Sequence, residues 1–259
     1  MRRVEHVMGF PVSLRVDDEG FDETAADRLF AWLGEVDRRF SPFREDSEVR
    51  RLDRGGPGSG RISRELAEVL ALGERYRAET RGAFDVRLPG RRLDPCAVVK
   101  GWSVQKAADL LTAAGARRFC LNAGGDVVVA GGPWRVGVRH PEHAGRLCTV
   151  LELTDGAVAT SARYERGDHI VDGRTGLPAT GLLAVTVVAP TLTEADAVAT
   201  AAFALGREGI DWAAAREGCE VFAVDADRRV SRTAGFPVAG AGQAVRRASR
   251  VPGSAGGAV

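Results

Sequence analysis

The chain has 259 residues, 44% hydrophobic and 27% charged, with a formal net charge of +1 at pH 7. That length and balance suit a globular protein with a sizeable core, in one large domain or two small ones. The near-neutral charge gives no global field for nucleic acid or an anionic membrane, and no run approaches the ~20 apolar residues that span a bilayer. In chain order, residues 4–16 alternate around Met8-Gly9-Phe10-Pro11 as a strand or hairpin. Leu29, Phe30, Leu33 and Val36 mark a helix over 22–37, broken by Phe40-Ser41-Pro42-Phe43. Ser47 caps a short helix through Leu52, on which Arg50, Arg51 and Arg54 read as a solvated face. Gly55 to Gly60 is a loop by composition, and Ser63 then caps a helix with Leu66, Val69, Leu70 and Tyr76 on one face. A helix over 97–114 carries Trp102, Leu110 and Leu111 inward and stops at Gly115. Strands follow near 117–122, 126–130, 134–139, 147–153 and 156–160, then a Val-rich strand over 182–190. A helix over 193–205 ends at Gly206, and a second helix and a hairpin from Val221 to Val230 complete the chain. Residues 251–259 read as a disordered tail, leaving 1–250 as one domain. The order of strands and helices has no regular βαβ rhythm, so the fold class is α+β.

The four cysteines, Cys96, Cys120, Cys148 and Cys219, have no zinc-ligand spacing and read as reduced thiols. The first residues carry positive charge without an apolar run behind it, so the chain reads as cytoplasmic, without a signal peptide or membrane insertion. Lys100 and Lys106 are its two lysines; every other basic side chain except histidine is arginine. A chain so sparing of lysine points to Lys100 as a compact ammonium aimed at a phosphate, while Lys106 reads as an exposed helix residue.

Two groups of motifs carry chemistry. The first is Gly82-Ala83-Phe84-Asp85, Leu93-Asp94 leading to Lys100-Gly101, and Asn122-Ala123-Gly124-Gly125-Asp126. The second is His169-Ile170-Val171-Asp172 with Thr175-Gly176, then Ala195-Asp196-Ala197-Val198-Ala199-Thr200. Asp196 and Thr200 stand four apart on a helix, so their oxygens point the same way, as a hard cation requires. Taken alone, the pair also fits a first-turn acid with a core-facing threonine. Acidic oxygens, one lysine and glycine-rich backbone together suit a magnesium-dependent pyrophosphate site. His169 suits a general base for a hydroxyl, or a strand-end histidine satisfied by backbone.

In order and spacing, from Met8-Gly9 to about Gly206, these motifs resemble the FAD:protein FMN transferase (ApbE) family. The resemblance implies a single compact α+β fold with its active site in a cleft between two lobes. It implies Mg²⁺-dependent transfer of FMN from FAD to a Thr or Ser hydroxyl of an acceptor protein, releasing AMP. Asp196, Thr200 and the main-chain carbonyl of Ala97 are then metal ligands, with Thr193 at a further metal position. Met8, Phe43, Ala83, Phe84, Asp85, Asp94, Lys100 and the Ile170 main chain become FAD contacts, and His169 and Lys100 the catalytic pair. Without that context, Met8 and Phe43 also read as core residues. The chain departs from the family pattern at Phe10, at Pro95-Cys96-Ala97, at Gln105 and at Gly173, where relatives carry Thr, glycines, Asp and Pro. An FAD pyrophosphatase yielding FMN and AMP, or a flavin-binding protein without turnover, uses the same residues.

Overall fold

The computed structural model describes residues 1–55, 62–88, 90–163, 167 and 169–240. The loop expected after Gly55 and the tail over 251–259 fall outside them. Its spine is an eight-stranded antiparallel sheet in the order β1-β2-β3-β4-β7-β10-β11-β12. The strands are β1 (Arg2–Val7), β2 (Phe10–Val16), β3 (Phe119–Ala123), β4 (Asp126–Ala130), β7 (Gly156–Ala162), β10 (Leu182–Ala189), β11 (Glu220–Asp225) and β12 (Val230–Arg232). A separate hairpin joins β5 (Trp134–Arg139) to β6 (Leu147–Leu153), and a small one joins β8 (Val171–Asp172) to β9 (Leu177–Pro178).

Successive side chains on a strand face opposite ways, and the central strands use both faces. Val128, Ala157, Val187 and Val221 join the larger core, whereas their neighbours Val127, Val158, Val188 and Phe222 join a second cluster. That second cluster includes Trp134, Val138, Leu151 and Leu153, so the β5–β6 hairpin covers this side of the sheet. This is why the central strands read as continuous apolar runs rather than as an alternating pattern.

The other face packs on helices. They are α1 (Thr24–Phe40), α2 (Glu48–Gly55), α3 (Arg64–Glu79), α4 (Cys96–Ala113), α5 (Leu192–Leu205) and α6 (Glu208–Ala214). Ser63 caps α3 by accepting from the Leu66 amide, and Ser47 accepts from Arg50 N at the start of α2. Alanine-rich α5 lies on β7 and β10 and crosses α4, which in turn packs on α1. Among the described residues no helix is long and apolar enough to cross a membrane.

Two expectations are corrected. Leu110 is 40% exposed, because adjacent helical residues point about 100° apart and α4 buries Leu111 instead. Arg50 is buried rather than solvated: Nη1 pairs with Asp53 Oδ2 at 2.9 Å. Asp53 Oδ1 meanwhile accepts from the Leu93 amide at 3.0 Å, fixing the segment that enters α4. The β8–β9 hairpin was not anticipated, since two-residue strands carry no period.

Candidate active site at the crossing of two helices

Gly101 is where α4 and α5 touch. A β-carbon there would lie 2.5 Å from the Leu192 carbonyl oxygen and 2.7 Å from Asp196 Cβ, so only glycine permits the approach. The contact delivers a hydrogen bond: Gly101 N donates to Asp196 Oδ2 at 2.8 Å. In a regular helix that N–H points at the carbonyl four residues back, which is Ala97. Asp196 thus reaches the first turns of α4 through the Gly101 amide. Asp196 is buried, so its charge is expensive unless it meets donors or a cation. Thr200, one turn on, is half-buried, with Oγ1 3.2 Å from Ser161 Oγ on β7. Thr193 sits half-buried one turn before Asp196. Carboxylate, hydroxyl and carbonyl make an all-oxygen donor set suited to Mg²⁺ or Mn²⁺, which complete their shells with water and phosphate.

Lys100, the residue before Gly101, aims its ammonium at Asp126, with Nζ 2.5 Å from Oδ2. Asp126 is almost wholly buried at the start of β4, and its Oδ1 accepts from Thr160 N at 3.1 Å. Lys100 also lines a shallow, solvent-open groove with Met8, Phe10, Phe40, Phe43 and Cys96. Phe43 is 78% exposed at this groove, so it is not a core aromatic. Met8 packs partly against the core, and its sulfur accepts from Ser103 Oγ at 3.7 Å.

The start of α4 is arranged differently from a phosphate cradle. Asp94 is exposed, and its Oδ1 accepts from Cys96 N at 3.0 Å. The Pro95 carbonyl takes the amides of Val98 and Val99, each at 2.9 Å. These three N–H groups are engaged within the chain, so the helix start does not offer them to a phosphate. Lys100 is the cation at this end of the helix.

The remaining motifs meet in a loop junction. Ala83 and Phe84 are buried, Phe84 edge-on to Tyr76 at 5.9 Å, so this tripeptide presents no aromatic face. Asp85 pairs with Arg77 at 3.2 Å. The Ala83 carbonyl accepts from Gly173 N at 2.8 Å, and a β-carbon on Gly173 would lie 2.3 Å from the Gly82 carbonyl oxygen. Glycine is thus required at this position. Gly173→Pro removes the donor and fills the contact, and should lower the melting temperature by about 4 °C or more, given about 1–3 kcal/mol for overpacking; thermal denaturation by circular dichroism measures it.

Ile170 packs partly on the core, and its carbonyl accepts from Ala179 N at 2.9 Å. His169 is exposed, with Nδ1 3.0 Å from the Gly167 carbonyl oxygen. A carbonyl only accepts, so Nδ1 carries the proton and the neutral ring leaves Nε2 as the basic nitrogen. β8, immediately after, contacts α5. Asp172 is gripped by Arg174, whose Nε and Nη2 lie 2.9 Å from its two oxygens, and this holds its pKa below the ordinary 3.8. A lowered carboxylate pKa stabilises above the unfolded value, and that contribution is lost as pH falls through the folded one. Asp172→Asn should therefore cost up to about 1 kcal/mol at pH 7, Arg174 being partly exposed. The difference in melting temperature should close below pH 3.8; melts across pH test this.

The structure thus joins Asp196 to Gly101, Thr200 to Ser161, Lys100 to Asp126, and residues 82–85 to 173. Sequence spacing missed Ser161, which carries no motif. It noted Asp126 as a possible contributor but not its partner, the signal being its place directly after Gly124-Gly125.

A profile of the ApbE family matches residues 8–91 and 86–223. The chain is 32% identical over 204 residues to an FAD:protein FMN transferase of Rhodobacter capsulatus, covering 74% of this chain and 36% of that protein. It is 34% identical over 172 residues to one from Treponema pallidum, covering 57% and 47%. The match thus spans less than half the length of either relative. The crystal structure of the ApbE protein from Thermotoga maritima superposes with a TM-score of 0.81 over 90% of this chain and 97% of that one. At 22% identity, that agreement speaks for the fold. With the profile covering most of the chain, the protein belongs to the ApbE family.

Proposed function

We propose that this chain is a magnesium-dependent FAD:protein FMN transferase, which moves FMN from FAD to a Thr or Ser hydroxyl of an acceptor protein and releases AMP. The observation that carries the reading is the α4–α5 crossing. There a buried carboxylate, a hydroxyl one turn on and a lysine ammonium gather beside an open, partly apolar groove. The relatives' names supply the activity that such a site suits.

Asp196, Thr200 and the Ala97 carbonyl would hold the ion, with Thr193 close by. Bound there, it would act as a Lewis acid on the diphosphate. The groove is open to solvent, and Met8 and the exposed Phe43 offer apolar and aromatic surface to one end of FAD. Asp85 and the main chain at 83–84 and 170 offer polar contacts along the same ligand. Lys100 offers positive charge for the phosphate of the departing AMP. His169 Nε2 takes the proton of the acceptor hydroxyl, whose oxygen bonds to the FMN-side phosphorus as the bridging P–O bond to AMP breaks.

Intact-mass spectrometry of a Thr- or Ser-bearing acceptor, incubated with the protein, FAD and Mg²⁺, should show a gain of one FMN phosphoryl unit. FAD split to FMN and AMP with every acceptor unmodified would make the protein a pyrophosphatase instead. FAD left intact would refute both.

A further inference from the structure

Asp126 is 2% exposed, a depth at which a carboxylate is a poor way to stabilise a fold, since well-packed apolar residues do as well or better. Its Oδ1 is clamped by the Thr160 amide, which fixes the side chain and turns Oδ2 inward. Oδ2 faces the Lys100 ammonium, with Nζ 2.5 Å away. An ion pair this close confines a side chain that otherwise has four freely turning carbons. Lys100 keeps 21% of its side-chain surface exposed and lines the groove. The other lysine shows what an ordinary pair looks like: Lys106 meets Glu68 at 3.3 Å with both side chains more than a third exposed.

We infer that Asp126 is the positioning residue for Lys100: a buried carboxylate that holds the ammonium at the groove wall, ready for the diphosphate oxygens of the dinucleotide. This rests on the transferase reading for the identity of the ligand. β7 anchors both halves of the site, since the Thr160 amide clamps Asp126 while the next residue, Ser161, meets Thr200. The ammonium and the proposed ion site are thus held in register by two adjacent residues of one strand.

The test compares Asp126→Asn, Lys100→Met and the double variant. FAD affinity is read by flavin fluorescence anisotropy in a chelator, and FMN transfer is read with Mg²⁺. Asp126→Asn should weaken FAD binding and slow transfer by roughly 10–100-fold, the range for partners that orient a functional group. Added to Lys100→Met, it should cost no more than about 2-fold further, because it acts through a side chain already gone. Wild-type affinity and rate in Asp126→Asn would overturn the inference. So would losses that multiply in the double variant, the mark of an independent structural role.

A labelling measurement on the wild type needs neither turnover nor a stable variant. Amine-selective acylation with peptide mapping compares the two lysines directly. Lys100 should label more slowly than Lys106, and FAD without metal should protect Lys100 further. Equal labelling, unchanged by FAD, would contradict the assignment. Absence of FMN transfer, with FAD protection of Lys100 intact and FAD binding weakened by Asp126→Asn, would reject the transferase reading while sustaining the role of Asp126.

Discussion

Asp196→Ala is expected to reduce FMN transfer by at least about 100-fold and to abolish stabilisation by Mg²⁺. The variant removes the one carboxylate of the proposed ion site, and ligand loss is rarely compensated where a small, hard cation demands near-octahedral oxygen geometry. It also removes the hydrogen bond from the Gly101 amide, a charge-assisted contact of about 1.5–3 kcal/mol. Asp196→Asn separates the two effects, since its amide oxygen can still accept from Gly101 N while the charge is gone. Melting temperatures with and without Mg²⁺ read the metal: a ligand at 100 times its Kd stabilises by about 2.7 kcal/mol. The wild type should shift upward and both variants should not. Asp196→Asn with wild-type transfer would remove the carboxylate from the mechanism.

Gly101→Ala is expected to lower stability and activity together, against its intrinsic helix propensity. In an open helix the change would gain about 1 kcal/mol. Here the new methyl would stand 2.5 Å from the Leu192 carbonyl oxygen, a backbone atom that no rotamer change can move. The helices must separate, at a cost of about 1–3 kcal/mol or more, and the Gly101–Asp196 bond lengthens with them. Calorimetry should therefore show a lower melting temperature, and transfer should fall by more than about 10-fold, as small misplacements of a site cost rate steeply. An alanine variant with an unchanged melting temperature and full activity would show that the helix crossing does not set the geometry of the site.

Where local rules decide, the sequence was legible. Ser47 and Ser63 announced their helices, the hydrophobic period of α1 and α3 matched their buried faces, and Gly115 and Gly206 marked helix ends. The spacing of Asp196 and Thr200 was likewise legible as one helix face. What depends on distant approach was not. Gly101 reads as a weak helix residue until Leu192 lies against it, and Arg50 reads as a surface charge until Asp53 and Glu45 flank it. Asp94 and Pro95 differ. Their capping of the first amides of α4 was legible but went unread, since an Asp two residues before an amide and a Pro at a helix entry are both capping signals.

The central claim is that Asp196, Thr200 and the Ala97 carbonyl bind one divalent ion against the diphosphate of FAD. Crystals grown with FAD and Mn²⁺, measured for anomalous scattering at the manganese edge, test it directly. A single peak within about 2.3 Å of the Asp196 carboxylate, Thr200 Oγ1 and the Ala97 oxygen, its remaining ligands phosphate and water, is the predicted result. A peak away from the α4–α5 crossing, or FAD bound with its diphosphate elsewhere, would contradict the account.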